Sequence, residues 1–206
     1  MEIMSSKMER KSGSQALPAA AGVFGGGVQR VITAVREDAD LEAALVCGAE
    51  TVFLLSGDLR SLESQCARLY EHGKRTFLHF DLVNGLKGDL AGITYAAEHF
   101  HLTGIISTKA PCLKIAHDCG LQAILRVFVL DSSAFRTGLH HVQSGRPDYV
   151  EVLPGVSGKI IRMATAEFQL PIIAGGLIQS REDVADALAA GAAAVSTSRH
   201  ELWPTA

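Results

Sequence analysis

One pattern recurs along this chain and restricts its fold more than any other feature: an apolar helix end, a glycine, then a short hydrophobic run. AALVCGAETVFLL, RLYEHGKRTFLHF, IAHDCGLQAILRV and DALAAGAAAVSTS all carry it. Gly48, Gly73, Gly120 and Gly191 are placed to stop each helix, and the short connection that follows is the usual link from a helix to the next strand. Strand and helix alternating through loops this short require a parallel sheet. Strands are expected at 30–35, 51–55, 76–82, 104–107, 123–130, 149–153, 171–174 and 193–195. Eight strands spaced at roughly 19 to 28 residues, each followed by room for a helix, describe an α/β chain folded as a single-domain (β/α)8 TIM barrel near its lower size limit. A doubly wound open sheet is the alternative, but the G-x-G-x-x-G turn it needs after an early strand is missing.

The last repeat, LPIIAGGLIQSREDVADALAAGAAAVSTSR over 170–199, reads as one βαβ unit. Pro171 to Ala174 is a buried-strand run, and Gly175-Gly176 leaves it where bare backbone can approach something closely. Ser180 and Asp183 form a capping box that opens a helix, and Gly191 ends it as a left-handed cap. The following strand finishes in Ser196-Thr197-Ser198, and Ser198-x-x-Glu201 is a second capping box that predicts a short extra helix. A Gly-Gly turn on one strand end and hydroxyls at a helix start on the next make the phosphate-binding arrangement of many (β/α)8 barrels. The competing interpretation is a tight turn beside an ordinary helix cap.

Length and composition agree with one aliphatic core: 206 residues, 48% apolar and only 6% aromatic. A net charge of −3 argues against a surface that is basic all over, so any nucleic-acid contact would need a local patch. Cys47, Cys66, Cys112 and Cys119 lack CxxC spacing and read as reduced thiols of a cytoplasmic protein. No apolar run reaches membrane-spanning length, and no His, Cys or carboxylate spacing suggests a metal site. Residues 1–28 read as a disordered N-terminal extension, since Pro18 and the glycines around it weaken any signal-peptide core, and residues 29–206 as the barrel.

Charged residues inside apolar strands have few places to go in a barrel, and the C-terminal mouth is the natural one. Counting by twos puts Phe77, His79 and Asp81 on one face of the third strand, and Tyr149, Glu151 and Leu153 on one face of the sixth. Arg126 follows Ile124, and Lys109 lies just beyond Ile105 and Ser107. Asp81, Lys109, Arg126 and Glu151 are thus expected at a common region. Arg126 and Glu151 could equally form a buried pair that only supports the barrel, and His79 a hydrogen-bonded core histidine.

Five strings then appear in order: FLHFDLVNGLKGD, GIISTKAPCLKIAHDCGL, ILRVFVLDSSAF, PDYVEVLPG and the 170–203 segment. With Ser107-Thr108-Lys109, Leu153-Pro154-Gly155 and Ser196-Thr197-Ser198, the chain resembles the glycerol-3-phosphate-responsive antiterminator family over residues 31–203. It departs from the family pattern at Arg30-Val31-Ile32-Thr33-Ala34 and at Ser157-Gly158. The resemblance implies a cytoplasmic, non-enzymatic barrel that senses glycerol 3-phosphate, uses no cofactor, and when liganded acts on the leader mRNA of glycerol-catabolic genes. For such an effector, strand phase suggests Gly175, Gly176, Ser196 and Thr197 around the phosphate. Asp81 and Glu151 would accept from the glycerol hydroxyls, with Lys109 and Arg126 offsetting them. A homo-oligomer could assemble an RNA surface from exposed residues such as Arg60, Lys74, Arg75 and Lys87. The alternative function is a barrel enzyme, an aldolase or isomerase on a small phosphorylated substrate, using Asp81, Lys109 and Glu151 as acid, base or Schiff-base nucleophile.

Overall fold

The computed structural model describes residues 30–205; the expected N-terminal extension lies outside the described residues. Eight strands close into a parallel barrel in sequential order: β1 (Val31–Val35), β2 (Thr51–Leu54), β3 (Arg75–His79), β4 (Gly104–Ser107), β5 (Gln122–Phe128), β6 (Tyr149–Leu153), β7 (Ile172–Gly175) and β8 (Ala194–Thr197), which pairs back onto β1. Between them lie α1 (Asp38–Val46), α2 (Leu59–Glu71), α3 (Leu90–His99), α4 (Ala110–Asp118), α5 (Ser132–Gly145), α6 (Gly158–Phe168) and α7 (Arg181–Ala189). Among the described residues no helix is long and apolar enough to cross a membrane.

The strands are buried on both sides, and alternation splits their side chains into two cores. Ile32, Phe53, Phe77, Ile106, Ile124, Tyr149, Ile173 and Ala194 fill the lumen. Their neighbours, such as Leu78, Ile105, Leu125, Val150, Val152 and Ala174, pack against the helices. Phe53 and Phe77 meet edge to face at 5.8 Å and plug one side of the lumen.

Local chemistry sets the helix boundaries. Asp58, Asp89, Asp131 and Ser157 each accept a backbone N–H from the first turn of the helix they precede, and Ser180 with Asp183 forms the expected capping box. Gly73, Gly120 and Gly191 adopt positive φ after α2, α4 and α7, as a left-handed stop demands. Gly48 does not: α1 ends in extended backbone at Cys47, and Gly48 N–H donates to the Pro204 carbonyl, so the C-terminal segment completes this helix end.

Two further expectations need correction. The third strand stops at His79; Phe80–Leu82 is a single 3-10 turn, and Val83–Asn84 then pairs with Gly57–Asp58 outside the barrel. The short helix expected to start on a Ser198 capping box is one 3-10 turn, His200–Leu202, without a side-chain cap. Thr197 takes the Arg199 N–H on its hydroxyl, while Trp203 Nε1 donates to the Thr197 carbonyl, which folds the chain back before a helix can extend.

Candidate functional site

At the mouth, β5 and β6 are in register so that Arg126 stands directly opposite Glu151. Arg126 Nε donates to Glu151 Oε2 at 2.6 Å, and Ser196 Oγ of β8 donates to Oε1 at 2.6 Å. The pair is almost fully dry, with side-chain exposures of 7% and 1%. Gly175 makes the arrangement sterically feasible. A Cβ there would collide with the Glu151 carboxylate and lie 2.7 Å from Ser196 Oγ. Gly175 therefore clears space for a buried network and does not itself open onto the pocket.

Beyond this network lies a solvent-open pocket of about 90 Å³, lined by Arg36, Arg126, Glu151, Gly176, Ser196 and Ser198 together with Ala34, Leu55, Leu153, Leu177, Ile178 and Thr197. Gly176 and Leu177 both have positive φ, a conformation that glycine adopts freely and leucine rarely, and this turns the loop after β7 over the pocket. Among the described residues, none accepts a hydrogen bond from the N–H of Gly176, Leu177 or Ser198. Thr197 Oγ1 is committed to the Ile178 carbonyl, so it ties the two loops together. On the pocket's other flank Gly155 N–H donates to the carbonyls of Gly175 and Gly176, clamping the β6–α6 loop to the same turn.

Sequence and structure comparisons show the family of this barrel. The family model described as glycerol-3-phosphate responsive antiterminator matches residues 31–203. The chain belongs to that family. A glycerol uptake operon antiterminator regulatory protein from Listeria monocytogenes str. 4b F2365 superposes with a TM-score of 0.83 at 35% identity, over 86% of this chain and 96% of that one. A glycerol uptake operon antiterminator-related protein from Thermotoga maritima MSB8 gives 0.74 at 32% identity, over 84% and 96%. The uncharacterized Escherichia coli (strain K12) protein YgcP is 34% identical over 85% of this chain and 92% of its own length. Barrel enzymes also superpose, at 10% to 14% identity, which shows the fold alone.

In this antiterminator-family barrel, the eight residues singled out from sequence separate into two groups. Arg126, Glu151, Gly176, Ser196 and Thr197 line the pocket, with Gly175 just behind it. Asp81 and Lys109 form a second cluster, at the ends of β3 and β4. Asp81 accepts from Ser107 Oγ at 2.9 Å, Thr108 N at 2.7 Å and Thr108 Oγ1 at 2.8 Å, with Lys109 Nζ 3.6 Å away. Burial alone would raise the Asp81 carboxyl, but the Thr108 and Ser107 donors and the Lys109 ammonium hold it below its ordinary value. Lys109 cannot follow strand phase into the lumen, because Ile106, not Ile105, is the inward residue of β4.

Arg36 is absent from the residues singled out by sequence, yet a signal for it exists. Ile32, Ala34 and Arg36 alternate on one face, and continuing the count one residue past β1 brings Arg36 to the mouth. His79 is buried in the lumen, and Nδ1 has no hydrogen-bond partner among the described residues. Burial, then the nearby Arg126 charge, push its pKa down to about 4 against the opposing pull of Asp81 and Glu151.

Proposed function

We propose that this chain is a cytoplasmic, non-enzymatic regulator. Glycerol 3-phosphate occupies its mouth pocket, and the liganded form binds the leader mRNA of glycerol-catabolic genes so that transcription continues past a terminator. The observation that carries the effector reading is the pocket itself. The N–H groups of Gly176, Leu177 and Ser198 have no acceptor among the described residues, and these residues line the pocket together with Arg36, a donor set that suits a phosphate. Beside them, the charge-neutral Arg126–Glu151 pair and the Ser196 hydroxyl offer hydrogen bonds to a small polyol. Gly175, Ser196 and Thr197 shape this site, whereas Asp81 and Lys109 form a separate cluster at the ends of β3 and β4.

The enzyme alternative is weaker on the same geometry, because the groups it needs do not converge. Glu151 is neutralised by Arg126, and Asp81 is occupied by three hydrogen-bond donors. The test has two parts. Glycerol 3-phosphate at a hundredfold excess over Kd should add about 2.7 kcal/mol to stability in a thermal melt, and glycerol should not. A gel-shift series at fixed salt should show tighter binding to leader RNA than to a scrambled control, and only with the effector present. Equal melting shifts for glycerol and its phosphate would reject the phosphate site.

A further inference from the structure

The regulator reading needs a surface for RNA on a chain whose net charge is −3. The cations on the α2 side are already engaged. Arg60 pairs with Asp58, Arg68 with Glu42 and Arg75 with Glu50, while Lys74 Nζ donates to the carbonyls of Cys47 and Ala49. The opposite situation holds around α5 and α6. Apart from the exposed Glu167 near the end of α6, the carboxylates from β5 through α6 are internally committed. Asp131 caps α5, Asp148 accepts from Ala123 N–H and faces His117, and Glu151 is buried against Arg126. The exposed cations of these helices, Arg136, Lys159 and Arg162, have no ion-pair partner among the described residues.

Packing sets these two helices side by side. α5 and α6 are neighbours locked by Phe135 stacked on Phe168 at 4.9 Å. Phe135, Gly138 and Val142 turn inward, leaving Arg136 and His140, four residues apart, on the outward stripe of α5. On α6, Ile161 and Ala164 turn inward and Lys159 and Arg162 outward. At the mouth end of the same face, Phe128 is 49% exposed and Leu130 88% exposed, immediately before α5, and Val156 is exposed just before α6. Exposed cations without ion-pair partners on two adjacent helices, with an exposed aromatic ring just before α5, match single-stranded RNA, whose backbone needs cations and whose unstacked bases need a flat apolar partner.

We propose that the α5–α6 face, with Arg136, Lys159, Arg162 and Phe128, is the RNA-contacting surface of this protein. The proposal rests on the regulator reading. It also supplies a short physical route from effector to RNA: α6 is launched by the β6–α6 loop, and Gly155 in that loop is hydrogen-bonded to the Gly175–Gly176 turn that borders the pocket.

The test compares the full chain with the triple variant Arg136→Gln/Lys159→Gln/Arg162→Gln, with Phe128→Ala, and with Arg60→Gln/Arg68→Gln on the α2 side. Binding to leader RNA is measured over a salt series with glycerol 3-phosphate present. The triple variant should bind at least about tenfold more weakly, with a log–log salt slope smaller by about 2, at roughly 0.7 for each single-strand phosphate that is no longer neutralised. Phe128→Ala should bind about tenfold more weakly without changing that slope. The α2 variant should match the parent, and all variants should keep the effector-induced melting shift, which shows that they fold and bind ligand. A triple variant that binds leader RNA like the parent overturns the face while leaving the regulator reading intact. A parent chain that ignores leader RNA overturns both. Weaker RNA binding that arises only because a dimer dissociates in sedimentation makes this face an interface between copies, and overturns the proposal.

Discussion

Two carboxylate–cation clusters sit at the mouth of this barrel, and water separates them in character. Arg126 and Glu151 meet at 2.6 Å with almost no exposure, and Ser196 satisfies the second carboxylate oxygen. Lys109 and Asp81 lie 3.6 Å apart with the lysine side chain 64% exposed, and the carboxylate is held mainly by Ser107 and Thr108. The pairing of charges is the same, but the consequences are opposite. In a dry site each ion depends on its partner, because neither can fall back on solvent. At the wet site the hydrogen-bonded carboxylate matters and the ammonium hardly does.

The largest effect should come from Glu151→Ala, which strands the Arg126 guanidinium in the lumen; denaturant unfolding should show a loss of about 3–5 kcal/mol. The double variant Arg126→Met/Glu151→Leu should recover most of that loss while effector binding stays absent, which separates the pair's structural role from its role toward ligand. If Glu151→Ala costs no more than Asp81→Ala, the contrast between dry and wet clusters is wrong.

His79 sharpens the comparison because it feels both clusters. Its folded pKa of about 4 lies below the ordinary value of 6.5, so the unfolded chain takes up a proton first as pH falls. Stability should therefore decline between pH 6.5 and pH 4, by about 3 kcal/mol in total, and then level off for this group. His79→Phe should flatten that part of the stability–pH curve. An unchanged slope would mean that His79 is not the neutral, buried group described above.

Asp81 works in a more acidic window. Its carboxyl is depressed below 3.8, so its contribution is present above that value and is lost as pH drops through the folded pKa. Asp81→Asn should remove this acid-limb dependence and cost about 1–2 kcal/mol at neutral pH, since Thr108 N–H and the two hydroxyls lose a charged acceptor. Lys109→Ala should be the mildest change, within about 0.5 kcal/mol by denaturant unfolding, and should leave effector affinity unchanged by calorimetry. A large loss of affinity would place Lys109 at the pocket despite its position on the outward phase of β4.

How far the site can be read from sequence follows the same division. Within β5 and β6 the alternation rule is strict, so Arg126 and Glu151 are legible as inward residues beside Ile124 and Tyr149. Asp81 lies past the end of β3, where a 3-10 turn breaks the period, and it reaches the mouth region by bending over the end of β4. Ser196 and Thr197 are recognisable as a hydroxyl-bearing strand end, but which hydroxyls remain free depends on neighbours 45 and 19 residues away, Glu151 and Ile178.

The repeat of helix end, glycine and strand determined by itself the alternation of strand and helix and the parallel sense of the sheet. Both follow from short connections and, at Gly73, Gly120 and Gly191, from a local positive φ. Tertiary structure alone decided that Gly175 makes room for the Glu151 carboxylate and the Ser196 hydroxyl, that Arg36 joins the pocket, and that Gly48, just after α1, donates to the Pro204 carbonyl. It also decided which cations are paired off on the α2 side and which are left uncompensated on α5 and α6. These are matters of which side chains from separate strands and helices arrive within a few ångströms of one another, and barrel closure sets those distances.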